Sequence, residues 1–440
     1  MYEIDGMPLR QHLARAAERI ERVDDRAIVV RAGRMVDGTG EPPIDDAAVI
    51  VSRGRIQFAG PSGMAPAAPG AESWDYPNAT LLPGMIDAHM HLTGDTTSDV
   101  YRRFLTPEPR DRPLLAAAHA AAMLAAGFTT VRDLGLPGPG STVRDAISNG
   151  LIDGPRILSA VAAISQTGGH ADWHVFPYDW VAGGPFPRGV MADGVDGCLR
   201  AVRQVMRDGA DVIKLFLESG GVTNTPEDLH AMPEFNDAEL RVLIDEPHRR
   251  GIRVAAHAKS RDVIKRAVEF GVDTIEHADL SPDDTDIFHL MAERGVVLVP
   301  TLSLYHWVGS EGERWGIFEG GRLAARAMLP QRQAMVGAAF AAGVKVATGT
   351  DTGSSMALGK NAMEVSLLVA AGLSPIQAIE AATRVAAEAL GLQDSLGTLE
   401  QGKLADFLVV DGDPCEDVSV LHTTRPERVF YTAAGGFGTT

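Results

Sequence analysis

Cysteine is nearly missing from this chain: 440 residues carry only Cys198 and Cys415. They lie far apart and match no metal-binding or redox spacing, so no disulfide framework is expected and both thiols read as inert. Positive charge is also scarce, with 40 basic residues against 58 acidic ones and a net charge of −18. That balance argues against nucleic acid as a partner, because phosphates demand a basic face. Lysine is scarcer still: six of the 40 basic residues, at 214, 259, 265, 345, 360 and 403. No run of about 18 apolar residues occurs, which leaves no candidate membrane helix. The opening Met1-Tyr-Glu-Ile-Asp-Gly lacks the basic stretch and apolar core of a secretion signal, so a cytoplasmic protein is the expectation.

What is present is a large apolar fraction, 45%, enough for a sizeable core. Leu9, Leu13, Ala16, Ile20 and Val23 repeat at helical spacing and predict an amphipathic arm within residues 1–26. The arm would pack on the body or on a neighbouring copy, and a homo-oligomer is expected. Short β-branched runs broken by glycine fill 27–82 and return over 395–433, which suggests one small β-sandwich domain assembled from both chain ends. Between them, over 83–394, strand and helix signals alternate. Strands are predicted at 84–91, 128–133, 156–161, 211–217, 252–257, 273–277, 296–301 and 344–350. Helices are predicted at 112–126, 196–208, 237–250, 260–270, 283–293 and 322–342. Eight βα units predict an α/β fold of the (β/α)8 barrel type. The segment 162–195, rich in Gly, Pro and aromatics, is longer than an ordinary connection and fits a loop that shapes a site.

The polar residues at strand ends carry the chemistry. Leu81-Leu-Pro-Gly-Met-Ile-Asp-Ala-His-Met-His91 ends in two histidines spaced i, i+2, which share one face of a strand and can grip one metal ion. His257, His277 and Asp351 each close an apolar run, and Lys214 sits inside one, Asp211-Val-Ile-Lys-Leu-Phe-Leu. A single strand-end histidine is more often a hydrogen-bonded core residue. Six such groups on the carboxyl rim of one barrel point instead to a metal site. A lysine among Val, Ile, Leu and Phe must be deprotonated or paired. An uncharged amine can add carbon dioxide, and the resulting carbamate is an anionic oxygen donor able to bridge two metal ions. The competing reading is a lysine paired with Asp211 or Glu218.

These residues, with Gly402-Lys-Leu-Ala-Asp-Phe-Leu-Val-Val-Asp411, resemble the amidohydrolase superfamily, specifically its binuclear members with a carboxylated lysine on the fourth strand. Ser165-Gln-Thr-Gly-Gly-His170, Ala192-Asp-Gly-Val-Asp196 and Pro300-Thr-Leu are most similar to prolidase-like dipeptidases and ochratoxin-type amidases. The resemblance implies that His89, His91 and Asp351 hold one divalent ion, His257 and His277 the other, with carboxylated Lys214 between them. Zinc is the expected metal, with manganese and cobalt as alternatives sharing these ligands. Two ions sharing a water lower its pKa, Asp351 handles the proton, and His170 holds the carbonyl oxygen or merely orders its loop. The expected reaction is hydrolysis of an amide bond, peptide-like or N-acyl amino acid, in a small molecule. A urea, a carbamate or another carbonyl–nitrogen bond is the alternative, and mononuclear deamination a more distant one.

Substrate residues are less sharply marked. Tyr305 and His306 follow the seventh strand and are candidates to line the pocket. Phe235 stands where prolidase-like relatives carry a tyrosine, which removes a hydroxyl donor for a substrate carboxylate. Trp173, with Trp180 and other aromatics nearby, either favours a bulky apolar group or simply packs its loop. Gly397-Thr-Leu-Glu-Gln-Gly-Lys-Leu404 resembles a phosphate loop but ends without the required hydroxyl.

Overall fold

The computed structural model describes residues 3–4, 7–8, 27–92, 112–135, 140–172, 177–181, 189–219, 232–353, 358–423, 429–433 and 436–439. At the amino end, β1 (Glu3–Ile4) pairs with β2 (Met7–Pro8). Most of the predicted arm, 9–26, lies outside the described residues.

Strands β3 (Ile28–Met35), β4 (Ile44–Ser52), β5 (Arg55–Pro61) and β6 (Glu72–Pro83) follow. Next come β7 (Met85–Met90), β8 (Phe128–Asp133), β9 (Arg156–Ser159), β10 (Ile164–Ser165) and β11 (Val190–Met191). The middle closes with β12 (Val212–Phe216), β13 (Arg253–Ala258), β14 (Thr274–His277) and β15 (Val297–Val299). The last three are β16 (Phe407–Asp411), β17 (Val429–Ala433) and β18 (Gly436–Thr439).

Both chain ends do meet, but in one sheet. Seven strands run in the order β18-β17-β16-β6-β3-β4-β5, antiparallel except for β3 beside β6. A sandwich of two packed sheets is the sequence expectation that this arrangement corrects. Register shifts at Ala32/Arg34 and Ile50/Val51 mark bulges, which bend a strand and sharpen its twist. One apolar face thereby gathers Val30, Ala32, Val49, Val51, Leu81, Phe407 and Phe430 into a single cluster. The last strand also reaches Thr439, past the expected limit at 433.

The middle of the chain is parallel. One sheet orders β7-β8-β9, a second β11-β10-β12-β13-β14-β15. Asp211 N–H donates to Ser159 O (2.8 Å), joining the start of β12 to β9. The predicted eighth strand is not a regular strand. Residues 344–350 instead make a few backbone bonds to each side: Leu298 N–H to Lys345 O and Ala347 N–H to Leu298 O (both 2.9 Å), and Ala88 N–H to Thr348 O (2.9 Å) and Thr350 N–H to His89 O (3.0 Å). Asp351 has φ of 52°, and Gly353 has φ of 137° with its Cα so close that a Cβ would lie 1.7 Å from His91 O. A continuous ladder cannot survive that turn, but the turn brings Asp351 against the two histidines.

Helices alternate with these strands near the predicted positions, among them Arg112–Ala125, Gly194–Arg207, Asp237–His248, Arg261–Phe270, Thr285–Arg294 and Glu319–Ala341. Local sequence explains their ends. Asn236 accepts from Ala238 and Glu239 N–H, and Glu239 returns a bond to Asn236 N–H, so two orphan donors are satisfied reciprocally. The main core packs these helices on the strands through Ile213, Leu215, Val254, Ile264, Phe288 and Val336. Among the described residues, no helix is long and apolar enough to cross a membrane.

Candidate metal centre

His89, His257 and His277 lie in the last two residues of their parallel strands, Lys214 sits in the middle of β12, and His91 and Asp351 follow β7 and the 344–350 segment. His89 ends β7 and His91 follows it, their rings 5.5 Å apart and edge to face. His91 Nε2 lies 3.1 Å and His89 Nε2 3.5 Å from Asp351 Oδ1. His277 brings its ring to 4.9 Å from His89 and 4.5 Å from His257. Donor atoms of His89, His277 and Asp351 all fall within 4.8 Å of one another, a natural grip for one cation.

His89, His257, His277 and Asp351 are held in the protonation states that a ligand needs. His89 Nδ1 is 2.7 Å from Glu276 Oε2, and an ionised carboxylate only accepts, so the ring proton sits on Nδ1 and the Nε2 lone pair faces Asp351. Glu276 is itself clamped by Arg132 (2.7 Å), which is buried and also donates to Ala88 O and Thr274. Burial alone would raise the Glu276 carboxyl, but Arg132 and His89 hold it at about 2. His89 falls to about 4 through burial and the nearby Lys214 charge, while burial drives His257 and His277 well below the usual imidazole range. Asp351 remains ionised at about 2, since His89, His91 and Lys214 outweigh its burial. Neutral imidazoles beside an ionised carboxylate form a donor set suited to zinc-like ions.

Lys214 decides between the two readings of its strand. Its Nζ is buried and has no hydrogen-bond partner. Both proposed partners are engaged elsewhere. Asp211 takes Arg144 (2.7 Å) and Ser159 N–H (2.9 Å), and Glu218 takes Lys259 and Ser260 N–H (both 2.8 Å). An uncompensated buried ammonium costs on the order of several kcal/mol. Burial accordingly lowers this amine to about 8, with the charges of Glu276 and Asp351 opposing the shift. An orphaned amine among metal-type donors fits a group that becomes a ligand once modified.

The backbone around the site is strained. His277, Ala278, Thr301 and Asp351 all have φ between 52° and 78°, although none is glycine. Each such residue costs roughly 1–3 kcal/mol and persists only where its surroundings impose it. Arg332 donates to His277 O (3.0 Å), and Thr301 Oγ1 joins His277 Nδ1 (2.7 Å). Within β7, Asp87 accepts from His89 N–H, Thr350 and Asn361, tying the histidine strand to the segment that carries Asp351.

The other predicted residues divide. His170 stacks on Phe216 (4.3 Å) and lies 4.5 Å from His257, beside the donors. Tyr305 is buried with the Arg332 guanidinium 3.9 Å above its ring. His306 is half-buried, edge-on to Trp307 at 4.7 Å. Phe235 is buried and packs with the main core. Trp173 lies outside the described residues. Lys403 bonds Thr398 (2.6 Å) and Glu400 within its own turn, which leaves no phosphate loop.

Sequence reasoning missed Arg132, Glu276 and Asp87. The signal was available: each is a charge inside an apolar strand, the same oddity that marked Lys214. Glu276→Gln is expected to lower metal affinity by about 10–100-fold with folding retained, because an amide cannot enforce the His89 tautomer. Competition with a chromogenic chelator measures it, and unchanged affinity would refute the role.

The chain resembles known proteins over most of its length. The amidohydrolase family model matches residues 80–434. Ochratoxinase of Aspergillus niger is 32% identical over 464 aligned residues, covering 99% of this chain and 91% of the relative. The solved structure of a Xaa-Pro dipeptidase with methionine in its active site has 31% identity and a TM-score of 0.82, over 94% of this chain and 100% of that one. A prolidase complexed with N-methylphosphonate-L-proline gives 30% and 0.83, over 94% and 99%. The chain is a member of the amidohydrolase family, an enzyme that hydrolyses carbon–nitrogen bonds.

Proposed function

We propose that the protein is a binuclear metal-dependent hydrolase that cleaves an amide bond, peptide-like or N-acyl amino acid, in a small molecule. The buried, partnerless Lys214 amine among three neutral histidines and Asp351 carries this reading. We infer that residues 83–394 close as a (β/α)8 barrel, supported by the bonds linking β9 to β12 and residues 344–350 to both β15 and β7. The β-rich flanks, 27–82 and 395–433, form the companion domain.

In this reading His89, His91 and Asp351 hold one divalent ion, zinc before manganese or cobalt. His257 and His277 hold the second. Lys214 would supply oxygen donors shared by the two once its amine, lowered to about 8 and so able to deprotonate, adds carbon dioxide and releases a proton. Bound there, the ions would supply Lewis acidity, easing ionisation of a shared water and polarising the scissile carbonyl. Asp351, ionised and beside His91, takes the proton from the attacking water and passes it to the leaving nitrogen. His170 donates to the carbonyl oxygen as negative charge develops there. Ochratoxinase and the prolidases support an amide as the scissile group.

Metal analysis combined with a substrate panel tests the proposal. Two ions per chain, and chelator-sensitive release of product from dipeptides or N-acyl amino acids, are expected. Equal turnover after complete metal removal would overturn the metal role. Turnover of aryl ureas with none of amides would overturn the substrate class.

A further inference from the structure

The loops that leave the third and fourth strands are stitched together by one buried carboxylate. Glu234 is 2% exposed. Its Oε2 accepts from the Ser165 hydroxyl (2.7 Å) and Gln166 N–H (3.0 Å), and its Oε1 from His170 N–H (2.6 Å). Ser165 Oγ in turn accepts from Ala171 N–H (3.2 Å). The turn wraps the carboxylate so tightly that a Cβ on Gly169 would meet Glu234 Oε2 at 2.3 Å.

The other end of this brace is anchored at the metal pocket. Glu234 N–H donates to Leu217 O (2.8 Å), one residue past the strand that carries Lys214. Phe235 N–H donates to Gln166 Oε1 (2.9 Å) with φ of 57°, so the stitch runs in both directions and imposes local strain. What the turn presents is the His170 ring, set against Phe216 and His257. A loop needing only cohesion would be served by a neutral side chain, whereas this carboxylate accepts a hydrogen bond from the backbone of the presented histidine itself. Burial pushes it up to about 7 despite three donors, a cost that cohesion alone does not require.

We propose that Glu234 is a positioning residue that fixes His170 over the metal pocket through the backbone of the 165–170 turn. The inference rests on the reading of His170 as the group that holds the substrate carbonyl oxygen. A misplacement near 1 Å costs up to about 100-fold in rate.

The test is a double-mutant cycle in the full-length, metal-loaded enzyme: Glu234→Gln, His170→Ala and the pair. Glu234→Gln should lower kcat by about 10–100-fold, with KM, metal content and Tm near parental values. His170→Ala should lose at least as much, and the pair no more than His170→Ala alone. In parallel, the His170 ring resonance, assigned by its disappearance in His170→Ala, should shift in Glu234→Gln while those of His248 and His422 stay. Multiplying losses in the pair, or an unmoved His170 resonance, would overturn the positioning role while leaving His170 catalytic. Parental kcat in His170→Ala would overturn the catalytic reading of His170, and the positioning role with it. Should Glu234→Gln fail to fold, Gly169→Ala, which drives a Cβ into the same carboxylate, must show the same coupling to His170→Ala.

Discussion

Replacing Lys214 with alanine is expected to abolish nearly all turnover while leaving a folded chain. The side chain is buried, and its Nζ makes no hydrogen bond. Its removal deletes an orphaned polar atom rather than a stabilising pair. If Lys214 is the shared ligand proposed above, metal binding should weaken by more than the ~10–100-fold typical of losing an outer-shell partner. Formate or acetate should restore part of the activity of Lys214→Ala, since a small carboxylate fits the space and supplies the missing oxygens. Lys214→Met fills that space, so it should be equally inactive and resist rescue. Metal content and initial rates with and without added acid decide the matter. Full activity in Lys214→Ala would eliminate the carbamate.

Asp351→Asn separates ligation from proton handling. Asparagine preserves the shape of the turn, and its amide oxygen retains part of the contact to His91 and His89. Most of the metal should therefore remain. It offers no carboxylate to accept a proton, so kcat should fall by about 10²–10⁴-fold. Because the native carboxyl is held at about 2, it is already ionised throughout the neutral range. Raising the assay pH should not recover the variant, and rates near the parental value at full metal loading would remove the assigned role.

Much of this cluster was legible in the sequence because polar residues in or just beyond apolar parallel strands break an apolar pattern. His89, His257, His277 and Lys214 each interrupt or close a run of aliphatic residues, and the structure brings them to one rim. Periodicity also located the six helices it predicted, whose ends moved by only a few residues, but not others such as Leu302–Glu311 and Met363–Ala370. Three features escaped. The β domain is a single bent sheet, because bulges such as that at Ala32/Arg34 depend on which strands become neighbours. The eighth strand dissolved into isolated bonds, because Asp351 is pulled into a left-handed turn by contacts with a strand some 260 residues earlier. The supporting charges Arg132, Glu276 and Glu234 satisfy one another or distant backbone, pairings that no local window contains.

The seam between the two chain ends has a consequence for biosynthesis. β6 runs through Gly84 directly into β7, the strand bearing His89, and its hydrogen-bonding edge is covered by β16 from residues 407–411. A nascent chain released by the ribosome short of that point would expose an unpaired, largely apolar strand at the root of the active site. Such an edge is a template for self-association. Prematurely terminated products should accumulate as aggregates rather than as soluble fragments.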